Sequence, residues 1–253
     1  MSEVIISQHR PLSRQTVTAE EMVSRVGRAL LTEVRLTPKP GLVDIRNAGA
    51  HRDMDLATFE ASTAVVAPWM EKFFIMGHDT ANITPEQVLT MLRPVGMACE
   101  TDMLEATGGV NTHRGAIFAF GLLCAAAGRL VARGEAESGF HTVRTQAMPV
   151  FNRVMANTGD ANLALLQTLL HLMAWNDDTN LVSRGGLEGL NFVQQQAQKL
   201  LWEGGVLADG GLEALRQLDD ELIVRHLSPG GSADLLAVTW FLSGFPAGEM
   251  FLH

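Results

Sequence analysis

Gly115-Ala-Ile-Phe-Ala-Phe-Gly-Leu-Leu-Cys-Ala-Ala-Ala-Gly-Arg-Leu-Val-Ala-Arg133 decides the fold class. It is long enough for a helix, carries no β-branched alternation, and is apolar on nearly every face. A helix apolar all round belongs inside a protein. Its apolar run, Ala116 to Ala127, is twelve residues. A membrane-spanning helix needs roughly 20, so no crossing is expected.

Helical signals repeat on both sides. Thr18-Ala-Glu-Glu21 is a capping box, followed by apolar residues at Met22, Val26, Leu30 and Val34, near helical period. Thr37-Pro-Lys-Pro-Gly41 stops that helix. A second helix is expected from Asp55 or Thr58 to Met76, kinked at Pro68, and a third from Thr84-Pro-Glu-Gln87 to Ala106, interrupted at Pro94. Further helices are expected at 140–156, 160–175, 186–203, 211–227 and 232–243. The only strand-like run is Val4-Ile5-Ile6. The reading is an all-α fold: residues 1–17 form a mobile N-terminal extension and 18–253 one compact multi-helix domain with glycine-rich interhelical loops. The methionines and the four tryptophans fall at helical positions and read as core.

Asp plus Glu number 28 against 19 Lys plus Arg, a formal charge of −9. That balance argues against a general nucleic-acid binder. Two cysteines, Cys99 and Cys124, match no zinc or redox spacing, exclude a disulfide scaffold and fit a reducing compartment. With no signal-peptide pattern, the cytoplasm is the expected location.

The unusual polar residues gather between helices, in five segments. Thr37-Pro-Lys-Pro-Gly-Leu-Val-Asp44 offers Lys39 and Asp44 on a rigid turn. Gly49-Ala-His-Arg-Asp-Met-Asp55 supplies His51, Arg52, Asp53 and Asp55; its carboxylates suit a hard cation, or Asp55 is simply a helix cap. Thr107-Gly-Gly-Val-Asn-Thr-His-Arg-Gly115 places Gly108, Gly109, Asn111, His113 and Arg114 at a helix start, where free N–H groups favour an anion. Asn176-Asp-Asp-Thr-Asn180 with Ser183-Arg-Gly-Gly186 sets Asp177, Asp178 and Asn180 beside Arg184, Gly185 and Gly186. Leu227-Ser-Pro-Gly-Gly-Ser-Ala-Asp234 supplies Gly230, Gly231, Ser232 and Asp234. Each alone reads equally as turn chemistry.

Together they mix carboxylates with cations. Unit charges about 4 Å apart interact by roughly 4 kcal/mol at a dielectric of 20, so bare aspartates would repel phosphates. A bridging Mg²⁺ reverses that sign. The mixture suggests a metal–nucleotide ligand. There is no Walker A loop, G-x-S-x-G, H-E-x-x-H or C-x-x-C.

These five segments, in this order, resemble the triphosphoribosyl-dephospho-CoA synthase family over about residues 25–243. Arg114 stands where the family commonly has Lys. The family usually carries an extra stretch, with A-G-E and Y-G-x-T-G motifs, between the apolar helix and Arg133-Gly-Glu-Ala-Glu-Ser-Gly-Phe140; this chain resembles a member shortened near 130–135. The resemblance implies an all-α pentosyltransferase. ATP and 3-dephospho-CoA give triphosphoribosyl-dephospho-CoA and adenine. The product is the prosthetic-group precursor for the acyl-carrier subunit of citrate lyase or malonate decarboxylase, with a phosphoribosyl-dephospho-CoA transferase downstream. Asp44-Ile-Arg-Asn47 and His51-Arg-Asp-Met-Asp55 look closer to the citrate lyase branch.

The reaction needs a triphosphate anchor, a base and a contact to the departing adenine. The expected phosphate and substrate contacts are Lys39, His51, Arg52, Gly108, Gly109, Asn111, Arg114, Arg184, Gly185, Gly186, Gly230, Gly231 and Ser232. Asp177 and Asp178, with Asp53 or Asp55, are the expected Mg²⁺ ligands. Asp44 or His113 is the expected base, and Asn180 or Asp234 the contact to adenine or sugar. Rival readings are a helical metal-dependent nucleotide hydrolase and a non-catalytic nucleotide-binding member. A homodimer is plausible from the apolar helical surface.

Overall fold

Thr18 starts the first helix: its Oγ1 accepts from Glu21 N at 3.1 Å. The computed structural model describes residues 17–133 and 142–244, among which there are helices and no strand. Residues 1–16, including Val4–Ile6, lie outside the described residues. The helices are α1 (Ala19–Arg35), α2 (Leu56–Asp79), α3 (Pro85–Ala106), α4 (Arg114–Arg133), α5 (Met148–Thr158), α6 (Ala161–Trp175), α7 (Thr179–Trp202), α8 (Gly211–Val224) and α9 (Gly230–Ser243). A π-helical turn, Val143–Ala147, precedes α5.

The stripe Met22, Val26, Leu30, Val34 is buried along α1, and Glu33 is buried beside it. Asp55 caps α2 in a reciprocal box with Thr58. The helix α3 is continuous through Pro94, contrary to the expected interruption. Pro94 faces solvent, so the carbonyl it leaves unpaired can be hydrated. The expected loop before residue 186 is largely helical: α7 begins at Thr179 and breaks at Gly186, whose φ of 64° and ψ of −166° are not helical. Trp69 and Trp240 pack against the core as expected, and the other two tryptophans do not. Trp175 and Trp202 close α6 and α7 and are 60% and 94% exposed.

Helix α2 runs along α4 and is flanked by α1 and α3; α6 packs on α5 and α7; α9 touches α1, α4, α6 and α7 and so joins the two halves. Glycines set the α2–α4 distance. A Cβ on Gly77 would lie 2.0 Å from the Ala125 carbonyl oxygen, and one on Gly128 2.0 Å from that of Phe74. The end of α4 also holds the α2–α3 turn: Arg129 donates to the carbonyls of Thr80 and Ile83, and Arg133 to that of Ala81. Among the described residues α4 alone is long and apolar enough to cross a membrane by length and composition, and 67% of that window is buried against its neighbours.

Gly128→Ala is expected to force α2 and α4 apart and to destabilise the protein by roughly 1–3 kcal/mol. A lowered thermal midpoint measured beside wild type checks this.

Candidate active site

The end of α1, the loop before α2 and the starts of α2, α4, α7 and α9 meet around a cavity of about 340 Å³. Its lining includes ten of the residues expected from sequence: Lys39, His51, Asp53, Asn111, His113, Arg114, Asn180, Arg184, Gly230 and Asp234. Every lining residue lies between 30 and 115 or between 180 and 237.

The α1–α2 loop is held from within. Asp44 Oδ2 accepts from Thr37 Oγ1 and Lys39 N, and its Oδ1 from Arg46 N and Asn47 N. Four hydrogen bonds occupy both oxygens, and Asp44 does not line the cavity. It clamps the loop and is not placed to act as a base. Asp219, from α8, accepts from Gly41 N, Asn47 Nδ2 and Arg46. Gly41 has a φ of +70°, and a Cβ there would meet the Leu227 carbonyl oxygen at 2.2 Å.

This loop delivers Lys39, 1% exposed, to Glu33: Nζ and Oε1 lie 2.5 Å apart. Burial raises the Glu33 carboxyl, and the Lys39 ammonium works against that rise. Asp234 is half-buried there. Burial first, then the negative charges of Glu33 and Asp178, push its carboxyl well above the usual range. A Cβ on Gly115 would lie 2.0 Å from Asp234 Oδ2, and Asp234 accepts from Ala116 N. The expected anion site at the start of α4 therefore holds the protein's own carboxyl.

Two histidines face the cavity with different partners. His51 Nδ1 accepts from Arg184 Nη2 at 3.0 Å, so its Nε2 proton goes to Ser228 Oγ at 2.9 Å. Burial and then Arg184 lower its pKa to about 4, against a smaller upward pull from Asp53. Arg184 also donates to the Ala50 carbonyl. His113 is buried; its Nδ1 lies 2.7 Å from Ser62 Oγ, its ring packs edge-on to Phe59 at 5.0 Å, and its Nε2 has no partner in the protein. Arg114 points outward and pairs with Glu100.

Other expected residues are not brought to the cavity. Asp55 is an exposed N-cap. Arg52 and Asp177 are exposed outside the lining. Asp178 is buried as the N-cap of α7, where its oxygens accept from Asn180 N, Gly231 N, Ser232 N and Ser232 Oγ. Ser232 thus serves the α7–α9 junction. Gly108 and Gly109, at φ of 64° and 89°, turn the chain after α3. Gly185 accommodates Leu227, Gly186 breaks α7, and Gly231 makes room for Asp178. The four expected metal ligands do not converge: no group of three or more His, Cys, Asp or Glu suited to a metal occurs among the described residues. Sequence reading missed Glu33, Phe59, Ser62 and Ser228. Glu33 carried a signal as a carboxylate beside the buried stripe of α1, and Ser228 by lying within the fifth polar segment.

An all-helical scaffold brings cations and carboxyls together around this cavity, an arrangement suited to a charged ligand. The family model described as ATP:dephospho-CoA triphosphoribosyl transferase matches residues 19–133 and 127–250. The 2-(5''-triphosphoribosyl)-3'-dephosphocoenzyme-A synthase of Klebsiella pneumoniae is 71% identical over 300 residues, covering 99% of each chain. The protein of the same name from Escherichia fergusonii is 58% identical over 301 residues, again covering 99% of each chain. No solved structure matches. The chain belongs to the ATP:dephospho-CoA triphosphoribosyl transferase family. It is a transferase whose substrates are ATP and dephospho-CoA.

Asp178→Ala is expected to uncap α7 and leave the α9 donors unpaired, lowering stability by roughly 2–4 kcal/mol. Asp177→Ala is expected to stay within about 0.5 kcal/mol of wild type. Urea unfolding of the two variants separates the adjacent aspartates.

Proposed function

We propose that the cavity carries out glycosyl transfer, with Glu33 as the base. A ribose hydroxyl of dephospho-CoA attacks the anomeric carbon of ATP. The bond to adenine N9 breaks, its electron pair leaves with the base, and the oxygen supplies the pair for the new bond. The hydroxyl proton passes to Glu33, and adenine gains one proton overall. The observation behind this reading is the buried Glu33–Lys39 pair in the same cavity as Asp234 and His113. Burial raises the Glu33 carboxyl, the direction a general base needs, and the Lys39 ammonium opposes that rise. Arg184 and Asn180 line the cavity where the triphosphate would be held.

Mg²⁺ fits this chain only as an ion brought with ATP. It keeps several waters and is commonly held by one or two carboxylates plus substrate phosphates, and the described residues offer no protein cage. Asp53, 65% exposed and facing the cavity, would hold it, since the carboxylates of Asp55 and Asp178 are engaged as caps. The ion supplies neutralisation of phosphate charge.

The alignments to the relatives run over 300 and 301 residues against 253 in this chain, and the two family-model matches meet at 127–133. We read this as an internal shortening near 130–135. Among the described residues, none of 130–133 lines the cavity, which supports retained activity. We place the product in prosthetic-group synthesis for citrate lyase, in the cytoplasm, with the downstream transferase and acyl-carrier subunit as pathway partners.

Purified protein with ATP and Mg²⁺ is expected to release adenine only when dephospho-CoA is present, with a triphosphoribosyl adduct by mass. Adenine without the acceptor would instead indicate a hydrolase, and none at all a binding protein. Glu33→Gln, which can still accept from Lys39, is expected to lower kcat by about 10²-fold or more. Asp53→Asn is expected to raise the Mg²⁺ concentration needed for half-maximal rate while leaving the melting temperature unchanged; a titration of rate against Mg²⁺ reads this.

A further inference from the structure

We propose that Ser62 and Thr112 fix the tautomer of His113, so that its Nε2–H is a standing hydrogen-bond donor to a ring nitrogen of the departing adenine. This gives His113 the opposite role to the base expected from sequence, and it rests on the transfer reading above. A chain of hydrogen bonds running one way gives it. Thr112 Oγ1 donates to Ser62 Oγ at 2.7 Å. The Ser62 hydroxyl proton then has His113 Nδ1, 2.7 Å away, as its acceptor. A neutral imidazole carries one N–H, so with Nδ1 accepting, the proton sits on Nε2.

Nε2 is buried without a protein partner, on a residue lining the cavity. Buried polar atoms without partners are rare in native proteins, and each calls for an explanation. A ligand acceptor provides one. The surroundings also keep the ring neutral. Burial first, and then the Lys39 ammonium, lower the His113 pKa to about 3. The other ionisable groups of the cavity floor, Glu33 and Asp234, stand in the same lining. Such an imidazole has almost no capacity to take up a proton at neutral pH, but it donates well, and its ring edge against Phe59 leaves an aromatic wall suited to a purine.

The chemistry fits the leaving group. When the bond between the anomeric carbon and N9 breaks, its electron pair enters the purine and raises the basicity of N3 and N7. A fixed neutral donor strengthens its bond to such an atom in the transition state more than in the ground state, which acts on kcat and not on KM. Ser62 is a positioning residue: it acts through His113 and does not line the cavity.

The test uses the full chain labelled with ¹⁵N-histidine. Long-range ¹H–¹⁵N spectra are expected to show His113 with a protonated Nε2 and a bare Nδ1 from pH 5 to 8. Thr112→Ser should preserve that pattern and Thr112→Val should mix the tautomers. The kinetic arm compares ATP with 3-deaza-ATP and 7-deaza-ATP. One analogue is expected to lower wild-type kcat by about 10²-fold and to impose no further loss on His113→Ala. An Nδ1–H tautomer, or a deaza penalty unchanged in His113→Ala, would overturn the proposal. The spectra need no turnover, so a wild type that releases no adenine would remove the transfer reading while the tautomer is still decided; a His113→Ala that does not fold leaves the wild-type and Thr112 spectra to decide it.

Discussion

The site depends on keeping one ammonium ion out of water. Lys39 is 1% exposed, and an isolated charge at that depth would shift its proton away or unfold its surroundings. Glu33 makes it tolerable by ion-pairing at 2.5 Å. The partner must stay in place, because breaking a buried pair is far more costly than never forming one. Much of the neighbouring framework serves that requirement. Asp44 fastens both sides of the loop that carries Lys39, and Asp219 fastens the same loop to α8.

Small residues then let polar groups approach. Gly115 leaves room for the Asp234 carboxyl, Gly230 for the Asn180 amide, and Gly231 for Asp178. A methyl group at any of these would crowd a polar atom, so these three glycines are steric. Gly41, Gly49, Gly108, Gly109 and Gly186 are conformational, with backbone angles other residues rarely adopt. The three polar groups gather where α9 begins, and α9 is the helix that joins the two halves of the fold. Site and packing therefore constrain each other: moving α9 would separate Asp234 from Glu33 and α7 from the cavity.

Sequence by itself determined the helices and the loops that matter. Caps and periodicity are local, so Thr18, Asp55 and Thr84 announce their helices within four residues. The order of five polar segments was equally legible, and it carried the family. Tertiary structure alone decided which polar residue does what. Asp177 and Asp178 are indistinguishable as letters, yet one is exposed and the other ties two helices together. Asp44 and Asp55 satisfy their own neighbours, while Glu33, 81 residues from Arg114 along the chain and read only as part of a helix, sits in the same cavity. The reason is physical. A carboxylate's role depends on which donors and charges surround it and how much water is excluded, and those are set by contacts between segments far apart in sequence.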